Sequence, residues 1–138
     1  MAMTAEHTVQ GASVLLVDDN EINRQVGNEF LQSMGLMVRL ADSGAAAIAA
    51  CAAHPPAVVL MDLEMPGMTG LEAARRLRQM QREGSLSGFP IIALTAHEQR
   101  RHVNESVAAG MNGFLSKPLM LDAVRRELGR WLPELSAA

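Results

Sequence analysis

Five short apolar runs, separated by segments of helical pattern, constrain the fold of this chain more than any other feature. The runs are Ser13–Val17, Met37–Ala41, Ala57–Met61, Pro90–Thr95 and Gly113–Ser116. Strands that alternate with helices are joined by right-handed crossovers into a parallel sheet covered on both faces. The period of about 25 residues is typical of a strand–helix unit. The pattern therefore predicts an α/β fold.

The segments between the runs carry helix signals. One helical stripe recurs every four residues: Ile22, Val26, Phe30 and Met34. Ser43 can cap an alanine-rich helix, and Thr69 with Glu72 forms a Thr-x-x-Glu capping box. The same signals predict two further helices, over residues 98–109 and 121–131.

Length and composition indicate one soluble globular domain. The chain has 138 residues, of which 49% are hydrophobic and 20% charged, and its formal net charge is −3. We expect the domain over residues 13–133, between an N-terminal tail of residues 1–12 and a C-terminal tail of residues 134–138. The mild acidity and the scarcity of aromatic residues argue against a nucleic-acid partner. We interpret Arg75, Arg76, Arg78 and Arg82 as a solvated helix face rather than a phosphate or nucleic-acid patch.

Cysteine usage and hydropathy indicate the compartment. Cys51 is the single cysteine, which excludes an internal disulfide framework and fits a reducing environment. The first twelve residues lack the pattern of a signal peptide, and no apolar run approaches the ~20 residues of a membrane span. We therefore expect a cytoplasmic location and no membrane contact by this domain.

Polar side chains collect where the predicted strands end. Asp18 and Asp19 follow the first strand, Asp62 the third, Thr95 closes the fourth and Lys117 follows the fifth. Parallel sheets bind ligands beyond the carboxyl ends of their strands, so we expect these side chains to meet. Adjacent residues of a strand point to opposite sides, and the two neighbouring aspartates should therefore differ in their roles.

The chemistry of this set favours a hard cation and phosphoryl transfer. Clustered carboxylates raise one another's pKa unless a cation lies among them, and an oxygen-only donor set suits Mg²⁺. A metal, an ammonium group and a hydroxyl can neutralise phosphoryl oxygens while a carboxylate attacks as nucleophile. Taken singly, Asp19 or Asn20 could instead be a helix N-cap, and Lys117 a surface charge.

Four motifs of the chain resemble the receiver domain of two-component response regulators. They are "VLLVDDNEINRQV", "VVLMDLEMPGMTGLEAARRLR", "IIALTA" and "GMNGFLSKPL". The resemblance covers about residues 13–132. It implies a flavodoxin-like fold, with a five-stranded parallel sheet of order 2-1-3-4-5 and five helices on both faces.

The resemblance also assigns roles around the metal. Asp62 would be the phosphoacceptor, and Mg²⁺ would be held by Asp19, Asp62 and the backbone carbonyl of Glu64, with Asp18 acting through a water. Thr95 and Lys117 would bind the phosphoryl group.

Four further positions have roles implied by the family. Pro118 is expected to follow a cis peptide bond. Phe114 is either an aromatic switch or a core aromatic. Glu64 and His97 either tune the lifetime of the phosphoryl group or have solvated side chains.

The implied function is a phosphorelay signalling domain, which catalyses its own phosphoryl transfer and autodephosphorylation without being an enzyme in the usual sense. "VDDNEINRQV" and "LTAHE" are most similar to receivers of hybrid sensor histidine kinases. The partners would be a histidine kinase or a histidine phosphotransfer domain, docking on the first helix, residues 20–34. Homodimerisation through helix 4, strand 5 and helix 5 is a further expectation. The chain could be free-standing or part of a larger protein.

Two functions of other classes remain possible alternatives. A haloacid-dehalogenase-like phosphatase needs the same groups but places an Asp-x-Asp nucleophile motif first and the acidic pair last, whereas here the pair Asp18-Asp19 comes first. A pseudo-receiver would bind partners without phosphorylation, although such domains usually lack one of the acids or the lysine, and all are present here.

Overall fold

A five-stranded parallel sheet of order β2-β1-β3-β4-β5 lies at the centre of the chain, which confirms the predicted topology. The computed structural model describes residues 12–96 and 100–133. The strands are β1 Ser13–Val17, β2 Met37–Ala41, β3 Val58–Asp62, β4 Ile91–Thr95 and β5 Gly113–Ser116.

Two strands have boundaries that differ from the prediction by one residue. Strand β4 begins at Ile91 because Pro90 has no N–H to contribute to a ladder. Strand β3 is shifted from residues 57–61 to Val58–Asp62, where Asp62 pairs with Leu94. Asp62 is therefore the last residue of a buried strand rather than the first residue of a loop.

In the described residues four helices connect the strands and a fifth follows β5: α1 Glu21–Ser33, α2 Gly44–Ala53, α3 Gly70–Arg82, α4 Arg100–Ala108 and α5 Leu121–Gly129. Ser43 caps α2, and the capping box of Thr69 and Glu72 opens α3, both as predicted. The predicted start of the fourth helix lies in residues 97–99, outside the described residues.

The helices cover the two faces of the sheet in separate hydrophobic clusters. On one face α1 and α5 contribute Leu31, Val124 and Leu128. On the other face α2 contributes Cys51, α3 contributes Leu77, and Ala109 follows α4. Among the described residues no helix is long and apolar enough to cross a membrane.

The predicted stripe of α1 does not lie wholly against the core. Ile22 is 68% and Val26 40% exposed, whereas Met34 is buried. Four-residue steps drift around a helix of 3.6 residues per turn, so the start of the stripe rotates away from the face that its end occupies. The residue that faces β1 is Gly27, where an added Cβ would lie 2.6 Å from Leu16 Cδ2. Helix α1 therefore packs closely and leaves two apolar side chains in solvent.

Arg78 is not part of a solvated face, contrary to the interpretation from sequence. Its Nε donates to Gly110 O at 2.8 Å and its Nη1 donates to Phe89 O at 2.8 Å. Its Nη2 donates to the side-chain oxygen of Asn112 at 2.6 Å, and the same oxygen accepts from Ile91 N. Helix α3 is thereby tied to the segments that enter β4 and β5.

Candidate functional site

Three carboxylates meet at the carboxyl edge of the sheet. Asp18 and Asp19 follow β1, Asp62 ends β3, and one carboxylate oxygen from each lies within 4.8 Å of the others. Asp18 is 2% and Asp62 1% exposed, whereas Asp19 is open to solvent. The two adjacent aspartates thus have unequal environments, as strand alternation predicts.

Lys117 brings a cation into the same cluster from the end of β5. Its Nζ lies 2.9 Å from Asp62 Oδ1 and 3.8 Å from Asp18 Oδ2. Its backbone N–H donates to Thr95 O at 2.8 Å, and the Lys117–Pro118 peptide bond is cis, the expected isomer. Lys117 is therefore a site residue and not an isolated surface charge.

Burial dominates the electrostatics of Asp62. It raises the pKa of Asp62 to about 6, against the opposing effect of Lys117, and the charge of Asp18 adds to the rise. Burial also acts to lower the pKa of Lys117, but the bond to Asp62 and the three carboxylate charges outweigh it and the pKa is raised. One ammonium group among three carboxylates leaves an excess of negative charge.

Asp62 has one satisfied and one unsatisfied oxygen. Oδ1 accepts from Lys117 Nζ and, at 3.2 Å, from Glu64 N. Oδ2 is buried and accepts no hydrogen bond from any described residue. A buried oxygen without a donor is costly, and a divalent cation among oxygen donors removes that cost. The donor set of this site therefore fits Mg²⁺.

The turn after β1 is held by two residues of the motif "DDNEINR". Asn20 N donates to Asp18 Oδ1, while Asn20 Oδ1 caps α1 by accepting from Asn23 N, both at 2.9 Å. Arg24 Nη1 donates to Asp18 O at 2.7 Å. The helix cap is therefore Asn20, which leaves Asp19 available for the cluster. Sequence reasoning missed the contact of Arg24, because a side chain bonded to a backbone carbonyl has no signature in the sequence.

The other predicted site residues, apart from the carboxylates and Lys117, differ in exposure and contacts. Thr95 is 4% exposed and its hydroxyl donates to Ala96 O at 3.1 Å. Phe114 is 48% exposed, so its interpretation as a core aromatic is wrong. The Glu64 side chain is exposed, and His97 lies outside the described residues.

Comparison with known proteins identifies the family. The family model described as response regulator receiver domain matches residues 14–128. The sensor histidine kinase AruS of Pseudomonas aeruginosa is 40% identical over 122 residues, which are 88% of this chain and 12% of AruS. The sensor histidine kinase GacS of Pseudomonas protegens is 35% identical over 118 residues, 86% of this chain and 13% of GacS. The chain thus spans about an eighth of the length of these relatives.

Solved structures of similar fold include two receiver domains. The receiver of the sensor histidine kinase PA1611 of Pseudomonas aeruginosa, with a magnesium ion in its active-site cleft, is 33% identical with a TM-score of 0.77. The alignment covers 88% of this chain and 98% of that one. The Saccharomyces cerevisiae receiver of Ssk1, in complex with the phosphotransfer protein Ypd1, is 29% identical with a TM-score of 0.81. That alignment covers 88% of this chain and 89% of that one.

Proposed function

The chain belongs to the response regulator receiver domains, and from that membership we propose that Asp62 accepts a phosphoryl group from a phosphohistidine. It is a signalling domain of two-component and phosphorelay systems. We propose that it is not an enzyme in the usual sense, and the family membership supports this over the phosphatase alternative. The observation that carries the proposal is the buried Asp62 carboxylate, whose Oδ1 is held by Lys117 while Oδ2 has no donor among the described residues.

Mg²⁺ would be held by Asp19, Asp62 and the backbone carbonyl of Glu64, with Asp18 acting through a water. When bound, the ion would neutralise negative charge on the phosphoryl oxygens. The magnesium-bound receivers of PA1611 and of the Arabidopsis thaliana histidine kinase CKI1, each 33% identical, support this assignment. So does the grouping of Asp18, Asp19 and Asp62, which place one carboxylate oxygen each within 4.8 Å of the others.

The side chains of the site divide the work of transfer. An Asp62 carboxylate oxygen forms a bond to phosphorus as the bond from phosphorus to the donor histidine nitrogen breaks. Lys117, already 2.9 Å from Asp62, pairs with a phosphoryl oxygen. The Thr95 hydroxyl leaves the Ala96 carbonyl and donates to another phosphoryl oxygen. Autodephosphorylation would follow when water attacks phosphorus and the bond from phosphorus to the Asp62 oxygen breaks, which releases inorganic phosphate and restores the carboxylate. Glu64 and His97 are at the positions that would tune its rate.

The exposed ring of Phe114 supports a switch at the neighbouring strand. Phe114 pairs with Ala93 in the sheet, two residues before Thr95. Movement of Thr95 toward the phosphoryl group would open space into which the ring turns. Phenylalanine has no hydroxyl to bond outside, so packing alone would drive the change.

A direct experiment is incubation with Mg²⁺ and acetyl phosphate, followed by intact mass measurement. We expect one phosphate adduct in the wild type and none in Asp62→Asn, which keeps the shape of the side chain. Absence of an adduct in a folded wild type would favour the pseudo-receiver alternative. An adduct that persists in Asp62→Asn would place the phosphoacceptor elsewhere.

The proposed partner surface is α1, on which Ile22 and Val26 form an exposed apolar pair. The Ssk1 receiver forms a complex with the phosphotransfer protein Ypd1, and the matched curated relatives are sensor histidine kinases. A histidine phosphotransfer domain or a kinase is therefore the proposed donor. Arg24 is a poor probe of docking because its guanidinium also holds the Asp18 carbonyl.

The matched test substitutes Ile22→Glu and Val26→Glu together and, as a control, Val107→Glu, whose side chain is 65% exposed on α4. We expect slower transfer from a phosphorylated histidine phosphotransfer domain in the double variant alone. Labelling by acetyl phosphate should stay unchanged in both. Equal transfer rates in the two variants would contradict docking on α1.

Three finer expectations complete the proposal. Residues 13–133 would form the folded unit, and its place of action would be the cytoplasm. Self-association would use α4, β5 and α5, where Val107 and Phe114 present exposed apolar surface. Sedimentation of the phosphorylated chain, with and without Phe114→Ser, tests this association.

A further inference from the structure

A groove of about 520 Å³ lies between α3 and the end of α4. Helix α3 lines one side with Arg75, Arg76, Arg78 and Arg82, and residues 108–110 line the other. The groove is on the face of the sheet opposite α1, because α3 and Ala109 belong to the hydrophobic cluster of that other face. It is therefore separate from both the acidic cluster and the proposed docking helix.

The groove carries a positive charge that contrasts with the rest of the chain. Helix α3 holds four arginines and one glutamate, a formal charge of +3, whereas the whole chain carries −3. The glutamate is Glu72, whose carboxylate is turned back to cap the helix by accepting from Thr69 N. Like charges three and four residues apart on a helix repel one another. Glu72 also lines the groove and offsets one of the four positive charges, so the helix leaves a net formal charge of +3.

Among the described residues, Arg78 is the one arginine of α3 whose guanidinium is hydrogen-bonded to other elements of the fold. The guanidinium of Arg78 is directed into the structure by its hydrogen bonds to Gly110, Phe89 and Asn112. Arg75, Arg76 and Arg82 are exposed and make no hydrogen bond or ion pair within the described part of the chain. Three guanidinium groups around the groove are therefore available to an external anion.

We propose that this groove binds an acidic segment of a protein partner. Arg75 and Arg82 are seven residues apart, so their Cα atoms are separated by roughly 10 Å along the helix. An extended peptide covers that distance in about three residues. Several carboxylates along such a peptide could therefore reach the arginines, whereas one phosphate ion is too small to span them. Planar guanidinium groups bind carboxylates in pairs of hydrogen bonds.

Other polyanions fit the surface less well. Nucleic-acid modules carry a basic balance over the whole domain, whereas this chain has an isoelectric point near 5.8. Attraction to an anionic membrane needs clusters of about four to eight basic residues beside apolar anchors. The free guanidinium groups of the groove number three, and the flanking residues 108–110 are small.

The proposal does not rest on phosphorylation, and binding can be measured on the unmodified chain. Fluorescein-labelled octaglutamate, with octaglutamine as the neutral comparison, is titrated with protein and followed by fluorescence anisotropy. We expect octaglutamate alone to bind, with an affinity that falls as salt is added. The test variant is Arg75→Gln/Arg76→Gln/Arg82→Gln. The matched control is Arg125→Gln/Arg126→Gln/Arg130→Gln, which removes three exposed arginines on α5 and directly after it.

The two variants separate the groove from general electrostatic attraction. Loss of three exposed ion pairs should weaken octaglutamate binding about tenfold in the groove variant, and less than about twofold in the control. Unchanged thermal unfolding and acetyl phosphate labelling would show that the fold and the Asp62 site are intact. Equal binding by both variants would overturn the proposal. So would equal binding of the two peptides, or tighter binding of a short DNA duplex than of octaglutamate.

Discussion

Two charged side chains, the half-buried Arg78 and the buried Asp62, lie at opposite ends of the strands and differ in how fully they are hydrogen-bonded. Arg78, near the amino edge, donates from all three guanidinium nitrogens to oxygens of Gly110, Phe89 and Asn112. Asp62, at the carboxyl edge, is 1% exposed and has Oδ2 without a donor among the described residues. A charged side chain whose polar atoms all have hydrogen-bond partners joins elements of the fold. One with a polar atom left without a partner can bind an external group.

Burial shifts the pKa of both side chains, and only Asp62 has an oxygen at which an external group can compensate the burial. It lowers the pKa of the Arg78 guanidinium and raises the pKa of the Asp62 carboxyl to about 6. Neighbouring carbonyls already compensate Arg78. Asp62 shares one lysine with Asp18, and a cation or a phosphoryl group would change its balance. Unsatisfied buried charge, more than burial itself, distinguishes the candidate site.

The largest effect is expected from Asp19→Ala, which should abolish measurable Mg²⁺ binding. The exposed Asp19 is the proposed direct ligand, whereas Asp18 acts through water, so Asp18→Ala should weaken binding by only about tenfold. Isothermal titration with MgCl₂ measures both. A greater loss in Asp18→Ala than in Asp19→Ala would reverse the two assignments.

Arg78→Met should lower the free energy of unfolding by about 3 kcal/mol, because it leaves carbonyl groups without their donor. The exposed Arg75→Met is the matched control and should change stability by less than about 0.5 kcal/mol. Urea denaturation measures both variants. Similar free energies of unfolding of the two variants would mean that the hydrogen bonds of Arg78 do not stabilise the fold.

Asp62→Asn should raise the free energy of unfolding of the metal-free chain by about 2 kcal/mol at pH 7.5. The pKa of Asp62 is raised from 3.8 to about 6 on folding, so its ionisation costs stability as pH rises through that range. Below pH 3.8 the carboxyl is protonated in both states and the advantage of asparagine should vanish. Denaturation of both chains in EDTA across pH 4–8 tests this, and an advantage that grew toward acid would contradict the sign.

The smallest effect is expected from Arg24→Met. The 2.7 Å bond from its guanidinium to Asp18 O is lost, and the turn that holds Asp18 and Asp19 becomes less ordered. Mg²⁺ affinity should fall about threefold to fivefold, the value of one modest hydrogen bond. Arg125→Met, on α5, should leave the affinity unchanged. If both variants bind Mg²⁺ as the wild type does, the bond does not position the site.

Sequence reasoning was most successful where one residue type has one strong local meaning. Ser43 and Thr69 are side-chain caps, and the apolar runs between helical segments are strands, so the order of the elements could be predicted from the residues. The strand order 2-1-3-4-5 was implied only by the resemblance to receiver domains. It failed where one pattern permits two environments. Ile22 and Val26 belong to a stripe with the spacing of a buried helix face, yet both are exposed. Arg78 lies in a charged segment typical of a solvated face, yet its guanidinium is hydrogen-bonded within the fold. Only neighbouring elements distinguish these cases.

For the site, the sequence by itself determined the chemistry: three carboxylates, a hydroxyl and a lysine, each at the end of a strand. Strand alternation even predicted that Asp18 and Asp19 would differ. The tertiary structure decided which carboxylate oxygen lacks a donor and that Asn20, rather than Asp19, caps α1. It also decided that Arg78 of α3 is half-buried and hydrogen-bonded, while Arg75, Arg76 and Arg82 are exposed and contact no hydrogen-bond partner among the described residues. The physical reason is that residue type sets what a group can bond, whereas packing sets which partners reach it.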